Sequence, residues 1–273
     1  MFHYEEKRIL IWGKTYPELS SKYTETVCTG GVLEDGSPVR LYPIPFRYLE
    51  GEKKFGNYQW ITARIAKDTR DTRPESFRIE ENSIVCGDEV RSTPDEWGKR
   101  AEIVFRNPKW LFDSVETLKE TERENGTSLG VVEPKEILSI KVKNRGEEDK
   151  QTFSEKLEKL KLENEAKLAQ IEMFEEFTPP ELKRLSYVPS RFEIYWQCHG
   201  ENCKKHHTQA LDWGLIELQR RIGVDAAQKR LEEICNLKEY ALKFFMGNIH
   251  NHPTAFTIVG LWYPKRAERG LFW

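Results

Sequence analysis

The chain has 273 residues, of which 38% are hydrophobic and 32% are charged, and its formal net charge is −2. This length is enough for two modest domains with real cores, and an aromatic content of 12% argues against general disorder. The sequence contains neither a run of 18 apolar residues nor a signal-peptide pattern. Five cysteines in so long a chain do not make a disulfide scaffold. We therefore expect a cytoplasmic protein with no membrane partner.

Residues 1–145 read mainly as short strands and predict a β-rich domain, either a small β-barrel or a bent antiparallel sheet. The dipeptide Asp35-Gly36 is typical of a tight hairpin and separates two of the predicted strands. Helices are predicted to begin at Thr93, through a capping box, and to span residues 110–124. The predicted strands are residues 8–12, 24–33, 39–41, 58–66, 77–86 and 137–142.

Residues 146–185 are expected to form a linker and one long amphipathic helix. Between Phe153 and Phe174 apolar side chains recur at helical spacing, and Asn164 interrupts them at the middle of the stripe. The helix would pack on a neighbouring domain, or it would pair with a second copy in a homodimer. In the second case Asn164 would suit a polar position that sets the register.

Residues 186–273 are expected to form an α+β domain around a Cys/His turn. A strand at residues 192–197 runs into the turn, and a helix is predicted over 208–221. Asp225 is expected to cap a second helix, and strands are predicted at 240–246 and 255–263. The whole chain is therefore predicted to be α+β, with the long helix joining two units.

The turn itself carries the strongest chemical signal in the sequence. Residues 198–207 contain two thiols and three imidazoles, and thiolate sulfur and imidazole nitrogen are the ligands that zinc and other borderline metals select. Cys198, Cys203 and one of His206 or His207 would supply three ligands, with the histidines expected near the first turn of the next helix. Gly200 would permit the tight reversal that aims both sulfurs at one point.

The fourth ligand is left open by the spacing. Cys235 is the first candidate, and His199, His250 and His252 are the alternatives. Zinc is the expected metal, and a closed set of four protein ligands would make the site structural. A [4Fe–4S] cluster held by Cys198, Cys203 and Cys235, with His206 or an external ligand as the fourth, is the alternative cofactor.

Arginine alternates with aromatic residues in the first domain, a pattern that suits nucleic-acid binding because aromatic rings stack on bases and arginine holds phosphates. The leading prediction is thus a metal-stabilised nucleic-acid-binding protein. The alternatives are a metal-dependent hydrolase, such as a nuclease, and a non-enzymatic dimeric interaction module; no catalytic residue can be assigned. The predicted nucleic-acid-binding residues are Arg40, Tyr42, Arg47, Tyr58 and Trp60.

Overall fold

A computed structural model describes residues 2–20, 24–68, 71–171, 185–249 and 252–266. Within these residues the protein is α+β, with two sheets and five α-helices. No helix among them combines the length and apolar composition needed to cross a membrane. The helices are α1 (Pro94–Val104), α2 (Val115–Asn125), α3 (Glu147–Ile171), α4 (Trp213–Ile222) and α5 (Val224–Ile234).

The first sheet contains a closed five-stranded barrel, which confirms the β-barrel expected in the N-terminal region. Around it run β1, β3, β4, β6 and β5, and pairing of β5 with β1 closes the ring. The predicted hairpin joins β3 to β4, where Gly36 adopts a φ of +81° that favours glycine. The strands are β1 (Glu5–Lys14), β2 (Glu18–Ser20), β3 (Thr24–Leu33), β4 (Pro38–Ile44), β5 (Gln59–Lys67), β6 (Ser76–Ile79) and β7 (Val85–Glu89).

The second sheet is mixed and has the strand order β10-β11-β12-β14-β13-β9-β8. Its parallel pairs are β12 with β14 and β8 with β9, and its other pairs are antiparallel. Helix α3 connects β10 to β11. The strands are β8 (Leu111–Phe112), β9 (Leu129–Val132), β10 (Pro134–Asn144), β11 (Ser190–Cys198), β12 (His206–Ala210), β13 (Lys243–Ile249) and β14 (His252–Trp262).

The boundary between the sheets lies earlier than the expected domain boundary at residue 145. Strands β8, β9 and β10, within residues 111–144, belong to the second sheet and not to the barrel. For example, Ile140 on β10 lies opposite Ile194 on β11. The pattern of an isolated strand shows which of its faces is buried, but it does not show which sheet the strand joins, because distant partners decide that.

Aromatic packing joins the barrel to the second sheet. The ring of Trp12 on β1 stacks on Phe245 of β13 with a centroid distance of 4.4 Å. Trp12 also fills the space above Gly30, where an added Cβ would lie 2.1 Å from the indole ring. The C-terminal part of β1, residues 9–14, is therefore buried on both faces: Ile11 packs in the barrel core, and Trp12 packs in the core between the sheets.

Several local predictions need correction. The helix predicted over residues 208–221 is strand β12 followed by α4, and Asp225 lies inside α5, whose N-terminal cap is Gly223. The single strand predicted over 77–86 is divided by a short 3-10 turn between β6 and β7. Helix α3 is present, but the predicted apolar stripe continues to Phe174, outside the described residues, and stays a prediction together with the role of Asn164.

Candidate functional site

The β11–β12 hairpin brings the predicted Cys/His ligands together. Cys198 is the last residue of β11, and His206, the first residue of β12, lies opposite Trp196. Because side chains alternate along a strand, His206 is buried and His207 is exposed. The expected helical setting of these histidines is thus wrong, because they begin strand β12, and the alternation of the strand makes His206 rather than His207 the candidate ligand.

Four side chains present donor atoms within 4.8 Å of one another: Glu116, Cys198, Cys203 and His206. The two sulfur atoms are 2.9 Å apart, and His206 Nε2 lies 3.2 Å from each of them. Glu116 Oε2 lies 3.6 Å from Cys198 Sγ and 3.7 Å from His206 Nε2. These residues could bind a metal ion.

The donor set fits a tetrahedral metal in number, and its spacing is within about 1 Å of the spacing that zinc requires. A zinc ion bound by sulfur, nitrogen and carboxylate oxygen holds its ligand atoms roughly 3.3–3.8 Å apart. The contacts of Glu116 lie in that range, those of His206 with the sulfurs at 3.2 Å fall just below it, and the two sulfurs at 2.9 Å would have to separate. That adjustment is about 1 Å, a distance that side-chain rotation covers.

Helix α2 places the carboxylate. Ser114 caps this helix by accepting a hydrogen bond from the Thr117 N–H, and Glu116 follows in the first turn. The backbone N–H of Lys204 donates to Glu116 Oε1 at 3.3 Å. An added Cβ on Gly200 would lie 2.7 Å from the Ser114 Cβ. A glycine at position 200 therefore allows the turn that carries Cys203 to pack closely against the start of α2.

Burial perturbs two of the four candidate ligands. It raises the pKa of the Cys198 thiol to about 12, with a further contribution from the hydrogen bond to Cys203. It lowers the pKa of His206, partly offset by the nearby Glu116 carboxylate. His206 is thereby kept in the neutral form that can donate a lone pair to a metal.

The other predicted ligands lie elsewhere. Cys235 follows α5, packs in the core of the second unit and is not in the four-residue group; burial raises its thiol pKa to about 12, as expected of an unreactive core cysteine. His207 contacts Glu193 at 2.7 Å. His199 and His252 are exposed. His250 lies outside the described residues.

A second feature is a cleft of about 860 Å³ bordered by the barrel, the second sheet and α3. None of the four candidate metal ligands is among the described residues that line it. The charged side chains in its lining are five cationic and three acidic: Arg40, Arg73, Arg145, Lys156, Arg191, Asp68, Asp71 and Asp149. Its aromatic side chains are Tyr16, Tyr42, Phe153 and Phe192.

Arg40 is a buried cation in this lining, with an exposed fraction of 5%. Its Nη2 donates to the Ser128 carbonyl at 2.9 Å, and its Nη1 contacts Cys28 Sγ at 3.5 Å, while Nε has no hydrogen-bond partner. Within the described part of the chain no carboxylate forms an ion pair with Arg40. The Glu75 carboxylate approaches it only through the Ser128 hydroxyl, which donates to Glu75.

Gln219 of α4 is the second buried polar side chain in the lining, with an exposed fraction of 4%. Its Nε2 donates to Ser190 Oγ at 2.6 Å, whereas its Oε1 has no partner. The Ser190 hydroxyl can donate as well as accept, so this one contact holds the Gln219 side chain in place without fixing which amide atom faces Ser190.

The predicted nucleic-acid residues separate into two groups. Arg40 and Tyr42 line the cleft, and Tyr42 is 40% exposed. Tyr58 is buried against other aromatic rings and has no free face for a base. Arg47 pairs with the buried Glu25 at 3.4 Å, and Arg8 covers Trp60 at 4.4 Å. The five residues do not form one continuous surface.

Sequence reasoning missed Glu116 and Gln219. Glu116 precedes Cys198 by 82 residues and has the ordinary sequence context of an acidic residue in a first helical turn. Gln219 has no signature of its own. The sequence predicted only a helix over residues 110–124, from its apolar spacing, and such a helix does not by itself indicate a site.

Comparison with family models divides the chain at the boundary that the sheets define. Residues 5–106 match a domain of unknown function, DUF8758, and residues 111–273 match a second, DUF8757. The second match covers more than half of the chain, which therefore belongs to the DUF8757 family. The search of curated proteins and the search of solved structures found no match.

Proposed function

We propose that this is a metal-stabilised nucleic-acid-binding protein whose binding surface is the cleft beside the barrel. The observation that carries the proposal is the buried Arg40, which lines the cleft without an ionic partner among the described residues. A buried cation is costly unless an anion compensates it. A phosphate group entering the cleft would supply that charge.

The rest of the lining supports the same conclusion. Arg73 forms a forked pair with Asp71, with distances of 2.6 and 2.8 Å, and Arg145 pairs with Asp149 at 3.3 Å. Asp68 pairs with Arg78 at 3.8 Å, so all three acids of the lining are engaged. Lys156 is an exposed cation at the α3 side of the cleft. Cations that hold phosphates beside aromatic rings that stack on bases are the usual elements of single-strand recognition.

Zinc is the metal that we propose for the four-residue site. Cysteine, histidine and glutamate are all established zinc ligands, whereas iron–sulfur clusters prefer cysteine throughout. With Glu116 as the fourth ligand the site is closed and structural, and it ties α2 to the β11–β12 hairpin. A reducing cytoplasm suits such a site, because its two thiols must stay reduced.

The proposal is tested by reversing charge on one helix at two positions. In zinc-loaded protein, Lys156→Glu should weaken binding of a fluorescent single-stranded oligonucleotide about tenfold and lower the salt slope by about one. The matched control is Lys159→Glu, an exposed residue of α3 outside the cleft lining, and it should change affinity by less than about twofold. Fluorescence anisotropy at several salt concentrations measures both.

Two results would count against the proposal. Absence of binding to single-stranded DNA and RNA by the wild-type protein would reject the nucleic-acid function. Equal losses in Lys156→Glu and Lys159→Glu would show a nonspecific charge effect and would remove the cleft as the binding surface.

The alternative functions have weaker support. A metal-dependent hydrolase needs an open coordination position near its substrate, but the four donors already suffice for a closed site, and none of them lines the cleft. Chelator-sensitive cleavage of nucleic acid would favour it. A dimeric module would use α3, yet Phe153 already packs on Tyr187 within the chain, with ring centroids 5.5 Å apart.

A further inference from the structure

We propose that a single-stranded nucleic acid bound in the cleft continues over an exposed strip of the second sheet, where His207 stacks on a base and two lysines hold phosphates. This inference rests on the proposed nucleic-acid function and adds a second contact surface to it. It is carried by the charge of the strip, by an exposed ring and by continuity with the cleft wall. The strip consists of Lys141, Lys143, Glu193, Tyr195 and His207, on strands β10, β11 and β12.

The strand register places these residues on one face of the sheet. Lys141 lies opposite Glu193, and His207 lies opposite Tyr195. Because side chains alternate along a strand, the opposite face carries the core side chains, such as Ile194. Helix α5 packs in that core, so the strip lies on the side of the sheet away from α5.

The strip is continuous with the wall of the cleft. Arg191 and Gln209 line the cleft, and they lie two residues from Glu193 on β11 and from His207 on β12. Residues two apart on a strand point to the same face, and at about 3.3 Å per residue Tyr195 lies roughly 13 Å from Arg191. A nucleic-acid strand that occupies the cleft can therefore reach the strip while it stays on the protein surface.

The strip carries more positive than negative charge. Lys143 has an exposed side-chain fraction of 67%, and Lys141 is exposed as well. Glu193 is only 14% exposed, and its carboxylate contacts His207 at 2.7 Å and Lys143 at 3.9 Å. The lysines therefore present cationic groups that can hold phosphates. The exposed acid Glu136, nearer the start of β10, ends the basic strip.

His207 adds an aromatic surface beside the lysines. Its ring stacks on Tyr195, with centroids 4.4 Å apart and planes inclined by 10°, and Lys141 Nζ lies 4.8 Å from the centre of the Tyr195 ring. Tyr195 covers one face of the His207 ring, while 51% of the His207 side chain is exposed. The other face of the ring is therefore open to an unpaired base, and such stacking accepts any base.

The lysines are tested by charge reversal. Fluorescence anisotropy of labelled 12-nucleotide oligo(dT) and oligo(U) is measured with full-length, zinc-loaded protein at several salt concentrations. Lys141→Glu combined with Lys143→Glu should weaken binding by at least about tenfold and lower the salt slope by about two. The control combines Lys229→Glu with Lys238→Glu, an equal charge change at exposed positions in and just after α5, and should change affinity by less than about threefold.

The stacking contact is tested at His207 in the same assay. His207→Ala should weaken binding about tenfold, as expected for the loss of one stacked base. His207→Phe keeps an aromatic ring but loses the contact with Glu193, and it should bind within about twofold of wild type. Zinc content per chain, measured in both variants, shows whether the neighbouring His206 site is intact.

The outcomes separate this inference from the function on which it rests. If the oligonucleotides bind and respond to Lys156→Glu but not to the strip variants, the extension over the sheet is wrong and the cleft function stands. Equal losses in the two double variants, or in His207→Ala and His207→Phe, would also overturn it. Competition by polyglutamate as strong as by unlabelled oligonucleotide would overturn nucleic acid as the occupant of the strip. If neither oligonucleotide binds, both proposals fail.

Discussion

The candidate metal site is built from single residues whose positions are set by different elements. Cys198 and His206 meet because they occupy facing ends of β11 and β12, and Cys203 joins them from the turn. Glu116 reaches the group from α2, with its Oε1 accepting from the Lys204 N–H. The distances from Glu116 Oε2 to Cys198 Sγ and to His206 Nε2, 3.6 and 3.7 Å, are longer than those among Cys198, Cys203 and His206. Glu116 is therefore the candidate ligand whose contribution the first experiment tests.

Replacing Glu116 by alanine should weaken zinc binding by at least about tenfold, because an oxygen donor is lost from a four-ligand site. Competition with a chromogenic chelator measures the affinity. Glu120→Ala changes an exposed acid one turn further along α2 and should leave the affinity unchanged. Wild-type affinity in Glu116→Ala, combined with loss in Cys203→Ser, would show that the fourth ligand is another group.

At the scale of elements, the contact between α2 and the 198–203 turn depends on a glycine. No side chain fits between Gly200 and Ser114, because a Cβ on Gly200 would lie 2.7 Å from the Ser114 Cβ. This contact sets the separation between the helix that carries Glu116 and the turn that carries both sulfurs. A change in packing here should therefore alter stability and metal affinity together.

Gly200→Ala should lower the free energy of unfolding by about 1–3 kcal/mol through overpacking. Ser114→Gly removes the opposing Cβ and, since glycine is also an acceptable N-cap, should alone cost only a few tenths of a kcal/mol. The double variant should recover most of the loss, a coupling that a double-mutant cycle by urea unfolding detects. Additive effects would contradict the steric account.

For the whole molecule, the junction between the barrel and the second unit includes a buried lysine. Lys14 at the end of β1 has an exposed fraction of 9%, donates to the Phe55 carbonyl at 2.8 Å, and lies over the Phe46 ring at 4.4 Å. Burial lowers the pKa of Lys14 to about 8, against weaker opposing effects of Asp212 and Cys86. Burial also raises the pKa of Asp212 to about 6.

The contribution of Lys14 to stability should therefore rise with pH above 8, and it is partly offset above pH 9 by the buried Cys235 thiol, which keeps a proton that the unfolded chain releases. Between the folded pKa of Lys14, about 8, and its ordinary value of 10.5, the unfolded chain holds a proton that the folded chain has released. The Lys14 contribution from pH 7.5 to 9.5 should be roughly 2 kcal/mol, and Asp212, with a pKa of about 6, stays ionised throughout. Urea unfolding of wild type and Lys14→Met should show this difference in slope. Parallel profiles would contradict it.

Local patterns were sufficient for much of the fold. The Asp35-Gly36 dipeptide located the β3–β4 hairpin, and the order of short strands indicated the barrel. The pattern failed at residues 208–221, where His206 to Ala210 pair with β11 before the helix begins. Apolar spacing over so few residues fits both a strand and a helix, and the partner strand decided between them.

By itself the sequence determined the α+β class, the hairpin and the pairing of Cys198 and Cys203 with a nearby histidine, because each depends on residues close together in the chain. Tertiary structure alone decided that His206 and not His207 faces the sulfurs, that Glu116 and not Cys235 is the fourth candidate ligand, and that Arg40 lines a cleft. These three features depend on strand pairing and helix docking between segments that are distant in the sequence. The local spacing of apolar residues cannot predict such contacts.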